Sequence, residues 1–295
     1  MEFGFRVFVL SSLIASQLAQ PDGGGVERGT LPASWTTGAS CPETPAFHTH
    51  AYNDDFIILR QSGCTNFEKP FLYLLFGGRS ALLVDTGAQS ADVSGAVHAA
   101  MKDRSARLNE RTLPLIVVHS HGHGDHVAGD SQFQNALETT LVAATPEALQ
   151  QFFHLRNWPN EIGSFDLGDR VIDIVPIPGH QPASIAIYDR KTGVLLTGDT
   201  LYPGRLYVRD GAAYVASIHR LVEFTRGKVV THVLGAHIEN ARTPYVDYPE
   251  GTTYQPDEHP LELGRAHLLE LDQELQQMNG QIVRRAMRDF TIWPR

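Results

Sequence analysis

His119-Ser120-His121-Gly122-His123-Gly124-Asp125-His126 places four metal-ligand side chains, His121, His123, Asp125 and His126, within six residues. That is more than one ion usually takes up. Neighbouring residues on a tight turn point in different directions, so His121 and His123 can converge on one ion while Asp125 and His126 reach a second. Imidazole combined with carboxylate suits zinc, with iron or manganese as alternatives. Gly122 and Gly124 give the backbone turn conformations closed to other residues. The competing reading is a polar loop in a chain that holds 14 histidines. Partners that recur downstream argue against it.

Those partners are His180 in Pro178-Gly179-His180-Gln181-Pro182, Asp199 in Thr197-Gly198-Asp199-Thr200, and His237 in Gly235-Ala236-His237. Each follows an apolar, β-branched run: Val171 to Ile177, Val194 to Thr197, and Val229 to Leu234. The first cluster likewise follows Leu115-Ile116-Val117-Val118. Strand, turn and ligand in repeated succession describe a site built on loops at one edge of a sheet scaffold. Ala81-Leu82-Leu83-Val84-Asp85-Thr86-Gly87 puts a further carboxylate at the same kind of strand end. A lone His or Asp after a strand is ordinarily a turn former, so the weight lies in the joint pattern.

These five motifs, running in the chain from Asp85-Thr86-Gly87 through the histidine cluster, His180 and Asp199 to His237, within about Phe56 to Ile238, resemble the metallo-β-lactamase superfamily. The resemblance implies an α/β fold, a four-layer αβ/βα sandwich. It implies that His121, His123 and His180 hold a first ion, that Asp125, His126 and His237 hold a second, and that Asp199 bridges them. Asp85 is then a supporting residue for the loop that carries the cluster, with His119 buttressing it from behind. The implied chemistry is a hydrolase in which two divalent ions, zinc or else iron or manganese, bring a shared water towards neutral pKa. The metal-bound hydroxide then attacks a substrate carbonyl. Asp125 and Asp199 would orient the hydroxide and move its proton. Tyr202, three residues after Asp199, would donate to the developing oxyanion, as a similar tyrosine does in the superfamily's lactone hydrolases. A rim or packing aromatic is the alternative for Tyr202.

Asp199 at the bridging position resembles the thioester, lactone and ester hydrolases of the superfamily. Dedicated β-lactamases generally carry Cys or Ser near it, which leaves a β-lactamase-type amide hydrolase as an alternative. His123 argues against the redox di-iron branch, which has Glu there. The C-terminal Arg265, Arg284, Arg285 and Arg288 form no recognisable glutathione-binding signature. A mononuclear iron enzyme of the persulfide dioxygenase kind and a non-catalytic metal-binding protein complete the alternatives.

Composition bounds these readings. The chain has 295 residues, 42% apolar and 19% charged, an ordinary folded protein that fits one core. No stretch approaches the roughly 18 consecutive apolar residues of a spanning helix, so stable membrane insertion is not expected. A net charge of −9 offers no footprint for nucleic acid, and the expected partner is a small-molecule substrate. Residues 1–20 read as a secretory signal, with Arg6 as a short basic start and Val7 to Ala19 uncharged and largely apolar. Export to a periplasmic or extracellular space is the expectation, a cytoplasmic protein the alternative. Residues 21–50 read as a linker or arm and 51–295 as the hydrolase domain with C-terminal helices. The two cysteines, Cys41 and Cys64, could tie that arm to the first strands.

Periodicity predicts strands at Phe56–Gln61, Phe71–Phe76, Ser80–Val84, Leu115–Val118, Leu141–Ala144, Val171–Pro176, Ser184–Tyr188, Val194–Leu196 and Val230–Leu234. It predicts helices at Ala91–Arg104, Pro146–Phe153, Ala212–Phe224 and Pro260–Met278, the last with a core-facing stripe from Leu261 to Leu275. The segment from Ile238 to His259 is expected to form pocket wall or lid.

Overall fold

The computed structural model describes residues 25–35, 39–89 and 91–295. The stretch read as a signal lies outside them. Two six-stranded sheets dominate. The first runs β1 (Phe47–Asn53), β2 (Phe56–Gln61), β3 (Phe71–Phe76), β4 (Ala81–Val84), β5 (Leu115–Val118) and β6 (Thr139–Leu141) in spatial order. Neighbours are antiparallel as far as β4, then parallel from β4 to β6. The second contains β7 (Gly163–Asp166), β8 (Val171–Pro176), β9 (Ile185–Asp189), β10 (Val194–Gly198), β12 (His232–Gly235) and β13 (Glu262–Leu263). Its spatial order is β13-β12-β10-β9-β8-β7, with β10 and β12 parallel. A small third sheet joins β11 (Arg205–Val208), β14 (Arg285–Ala286) and β15 (Thr291–Pro294).

The period-two alternation of apolar strands sorts the side chains into three layers of core. Phe56, Ile58, Tyr73, Leu75, Leu82 and Val84 face Ile172, Ile174, Ile185, Ile187, Val194 and Leu196 between the two large sheets. Ile57, Leu59, Leu72, Leu74, Leu83 and Val117 point the other way, onto helix α1 (Val93–Leu108). Val175, Ala186, Leu195 and Val233 pack on α4 (Gly211–Phe224) and α5 (Arg265–Gln277). The result is the four-layer αβ/βα sandwich. Two short helices, α2 (Gly124–Val127) and α3 (Pro146–Phe153), lie on the loops between. Thr145 caps α3 and Pro146 opens it, as its sequence dictates. Among the described residues no helix is long and apolar enough to cross a membrane.

The structure corrects three expectations. Leu261 and Leu263 lie outside the last helix, Leu261 in a bend and Leu263 in β13, and Gly264 separates them from α5. Leu268, Leu271 and Leu275 are the buried stripe of α5, and Leu269 faces outward. The arm read as 21–50 ends earlier, because β1 begins at Phe47. Its described residues before that point are irregular and hydrogen-bond along the sheet, Thr30 N to the Tyr52 carbonyl and Glu27 N to the Lys191 carbonyl. Cys41 and Cys64 form a disulfide that fastens the arm beside β2. The C-terminal region also ends in strands rather than helices.

Arg170 holds the two large sheets in register. It is buried, pairs with the equally buried Asp189, and donates to the carbonyls of Asp55 and Phe76 on the opposite sheet. Removing one partner of such a pair strands the other charge in the interior, at a cost of about 3–5 kcal/mol. Arg170→Ala is therefore expected to lower the urea midpoint by that equivalent. An unchanged midpoint would show that the clasp contributes nothing.

Candidate metal centre

Every donor predicted from sequence lies just past the C-terminal end of a strand. His121 to His126 follow β5, His180 follows β8, Asp199 follows β10 and His237 follows β12. β10 and β12 are parallel neighbours and β8 runs the same way one strand further on, so their ends reach the same edge. β4 and β5, parallel in the facing sheet, bring Asp85 beside the histidine loop.

The seven donors form two groups. His121, His123, His180 and Asp199 are one; Asp125, His126, His237 and Asp199 are the other, each with ligand atoms within 4.8 Å of one another. Asp199 belongs to both through different oxygens. Its Oδ2 is 3.8 Å from His121 Nε2 and 3.5 Å from His180 Nε2. Its Oδ1 is 3.4 Å from His126 Nε2 and 3.3 Å from His237 Nε2.

The distal ring nitrogens explain the orientation of each imidazole. His180 Nδ1 donates to the Tyr207 carbonyl at 2.8 Å and His237 Nδ1 to the Glu68 carbonyl at 2.9 Å. His126 Nδ1 donates to Asp85 Oδ2 at 2.9 Å, and His121 Nδ1 to Ser120 Oγ at 3.2 Å, which itself donates to Asp85 at 2.8 Å. Such partners fix each ring's orientation with Nε2 aimed inward. Asp85 also accepts from Ser120 N at 2.7 Å, and His119 Nδ1 donates to the His126 carbonyl at 3.1 Å. Both support the loop as expected of them. Asp85 adopts a left-handed φ of 69°, and Gly198 one of 51°. A Cβ on Gly198 would also lie 2.7 Å from Ser120 Cβ, so glycine alone lets Asp199 approach the histidine loop.

The donor set fits a divalent cation. His121 Nε2 and His180 Nε2 lie 2.9 and 3.0 Å from His123 Nδ1. With protons held at both Nδ1 atoms, three lone pairs point at one space, and a proton on His123 could satisfy only one of them. Asp199 Oδ1 is buried without a hydrogen-bond partner. Burial first, then the neighbouring rings, holds His121 well below the ordinary histidine range. Burial and His180 bring His123 down to about 4, and burial lowers His180 too. The three imidazoles of this group are thereby held neutral. In the second group burial would lower His126 and His237, but the carboxylates of Asp125 and Asp199 outweigh it and hold both well above the usual value. Asp125 and Asp199 correspondingly stay ionised well below the carboxylate range despite burial.

Tyr202 lines the cleft over the donors, with its hydroxyl engaged by the wall. It is buried, edge-on to His237, and its hydroxyl donates to the Arg205 carbonyl at 2.5 Å, with Glu239 Oε2 at 3.2 Å. A buried hydroxyl takes the nearest strong acceptor, and here that acceptor lies in the wall. Tyr202 thus braces Arg205, whose guanidinium reaches Glu239 at 2.8 Å and Asp247 at 2.7 Å. The cleft of about 200 Å³ over the donors is also lined by Glu68, Tyr207, Arg209, Glu239 and Arg295, none of which stood out in the sequence. Only proximity to a motif could have flagged Glu239, two residues past His237. Pro249 to Thr252 wall an adjoining recess, as expected of the segment after His237, while Tyr245 and Tyr254 are exposed.

The Metallo-beta-lactamase superfamily model matches residues 67–237. The chain belongs to this superfamily. It is one of the superfamily's metal-dependent hydrolases. Acyl-coenzyme A thioesterase MBLAC2 of Bos taurus is 26% identical over 201 residues, 56% of this chain and 72% of the relative. Hydroxyacylglutathione hydrolase of Anaeromyxobacter dehalogenans is 32% identical over 134 residues, 45% and 46% of the two chains. In fold the chain is similar to the metallo-beta-lactamase FIM-1 of Pseudomonas aeruginosa in its mono-zinc form. The TM-score is 0.53 at 15% identity, over 82% of this chain and 100% of that one.

Cation binding should follow the two groups' different proton loads. Divalent ions must displace protons from His126 and His237 but not from the already neutral imidazoles of His121, His123 and His180. As pH falls, occupancy of the second group is therefore expected to be lost first. Zinc content measured after dialysis at stepped pH checks this, and simultaneous loss of all zinc would contradict it.

Proposed function

We propose that the chain is a dinuclear zinc hydrolase of thioester, ester or lactone carbonyls. The observation that carries the reading is Asp199, whose two carboxylate oxygens face separate donor groups. His121, His123, His180 and Asp199 would hold one ion, and Asp125, His126, His237 and Asp199 the other. Ions bound there would supply a water acidic enough to act near neutral pH and a Lewis acid for the carbonyl oxygen. Within the protein, Asp125 and Asp199 would orient the attacking water and help relay its proton, the neighbouring histidines holding both carboxylates ionised despite burial. The hydrogen bonds at the far side of each imidazole keep the donors from turning away during the reaction. Tyr207 and Glu239 supply polar groups on the cleft wall where a carbonyl substrate must lie.

The thioesterase and hydroxyacylglutathione hydrolase names of the relatives support a thioester ahead of an amide. An oxidising compartment is part of the same proposal, supported by the disulfide and by the signal-like residues 1–20. A mature chain from the native host beginning near Gln20 or Pro21 is expected by mass spectrometry, and intact Met1 would count against export.

The decisive experiment joins metal analysis to a panel of a thioester, acyl-homoserine lactones, aryl esters and a cephalosporin reporter. About two zinc ions per chain are expected. Asp199→Ala should loosen both. Asp125→Asn should cut kcat by several orders of magnitude, since it disturbs the nucleophile's own surroundings. One ion per chain after reconstitution, or undiminished turnover in Asp125→Asn, would overturn the proposal.

A further inference from the structure

A groove of about 990 Å³ opens off the smaller cleft above the donor groups. The two share His123, His180 and Arg209, which therefore form the threshold between them. Trp158, Pro159, Pro178, Pro182 and Ala213 give the groove an apolar, partly flat lining. Arg156 and Arg209 also line it, both exposed. Neither guanidinium makes a hydrogen bond or ion pair among the described residues.

In a chain of net charge −9, two cations left without partners along one groove invite a ligand's charge. The acids nearby do not neutralise them. Asp210 is committed to the first turn of α4, accepting from Ala213 N at 3.0 Å. Glu147 is exposed in the first turn of α3. Arg205, on the same strand as Tyr207, differs: it is buried and already paired with Glu239 and Asp247.

Arg209 is also held in place. Arg209 N and Asp210 N both donate to the Gly179 carbonyl, at 3.0 and 2.9 Å. His180 Nδ1 binds the Tyr207 carbonyl, so the end of β11 and the loop carrying His180 are stitched together. Gly179 permits this at φ 140°, where a Cβ would lie 2.4 Å from Tyr214 Cα. On the far wall, the Glu161 carboxylate accepts from Arg156 N at 2.5 Å and Asn157 N at 3.0 Å, which organises the loop of Arg156 and Trp158. The groove is therefore preformed at both ends.

We propose that this groove receives the part of the substrate remote from the scissile carbonyl. Arg209 selects substrates in which that part is an apolar or aromatic segment bearing an anionic group, carboxylate or phosphorus oxyanion. The assignment rests on the hydrolase reading for what is cleaved, but not for what is bound. A guanidinium fork binds such anions by paired, charge-assisted hydrogen bonds, and the apolar wall screens them from water.

Calorimetry with 4-phenylbutyrate, 4-phenylbutylphosphonate and uncharged 4-phenylbutyramide tests it on the zinc-loaded full chain. Wild type is expected to bind at least one anionic probe about tenfold more tightly than the amide. Arg209→Ala should bring the three probes close together, and Arg209→Lys should restore part of the difference. Whichever anion shows the larger loss on Arg209→Ala identifies carboxylate or phosphorus oxyanion as the preferred group. An anionic advantage that survives Arg209→Ala would place the charge on Arg156 or the donor groups and overturn the proposal, as would equal binding of all probes by wild type. Acetyl thioesters of 4-mercaptobenzoate and 4-mercaptobenzamide report on cleavage separately. Arg209-dependent binding without any turnover would sink the hydrolase reading while leaving the groove's selectivity standing.

Discussion

Asp199 is the constraint around which this protein is arranged. One of its oxygens faces the first trio of imidazoles and the other faces His126 and His237. A carboxylate that is only 8% exposed, with one oxygen lacking any hydrogen bond, is costly unless a positive charge joins it. The surroundings supply that charge as protonated histidines in one state or as cations in the other. Placing Asp199 there demands the left-handed Gly198, the close approach to Ser120, and two sheets whose parallel strands end on the same edge.

Precision at that edge depends on bracing further back. Arg170 and Asp189 clasp the sheets through buried charge, and Asp85 collects three hydrogen bonds from Ser120 and His126. On the cleft side, Tyr202, Arg205, Glu239 and Asp247 form a second brace. The disulfide keeps the arm beside β2, and the loop that follows Cys64 carries Glu68, whose carbonyl orients His237. Ligand geometry, wall and arm are thus mechanically continuous, which is what a site needs in order to hold donors within fractions of an ångström.

The active cleft is small and polar, while the groove beside it is large and partly apolar. On the proposed reading, that division separates the place where bonds change from the place where a substrate is recognised. Variation in the groove can then alter selectivity without moving the donor groups, the usual economy of a site carried on loops over a rigid scaffold.

The sequence by itself singled out the seven residues that the fold brings together in two groups, the Asp85 and His119 that lie against their loop, and most long elements. These are local matters. Ligand identity is chemical, strand ends show as a change from β-branched runs to Gly-rich turns, and Thr145-Pro146 announces a helix start in two residues. Short strands were not legible: β11, β13, β14 and β15 hold two to four residues each, too few for a period, and exist because the sheets around them offer hydrogen bonds. The partner of the Tyr202 hydroxyl was not legible either. Three residues from Asp199 in the chain, it is turned by burial towards the Arg205 carbonyl, and no spacing encodes that direction. Nor could spacing reveal that Arg209, Arg156 and Trp158 share a groove. Arg156 and Trp158 share one loop and Arg209 comes from another, and only tertiary packing brings the two together, because long-range proximity is decided by how the layers stack rather than by any pattern along the chain.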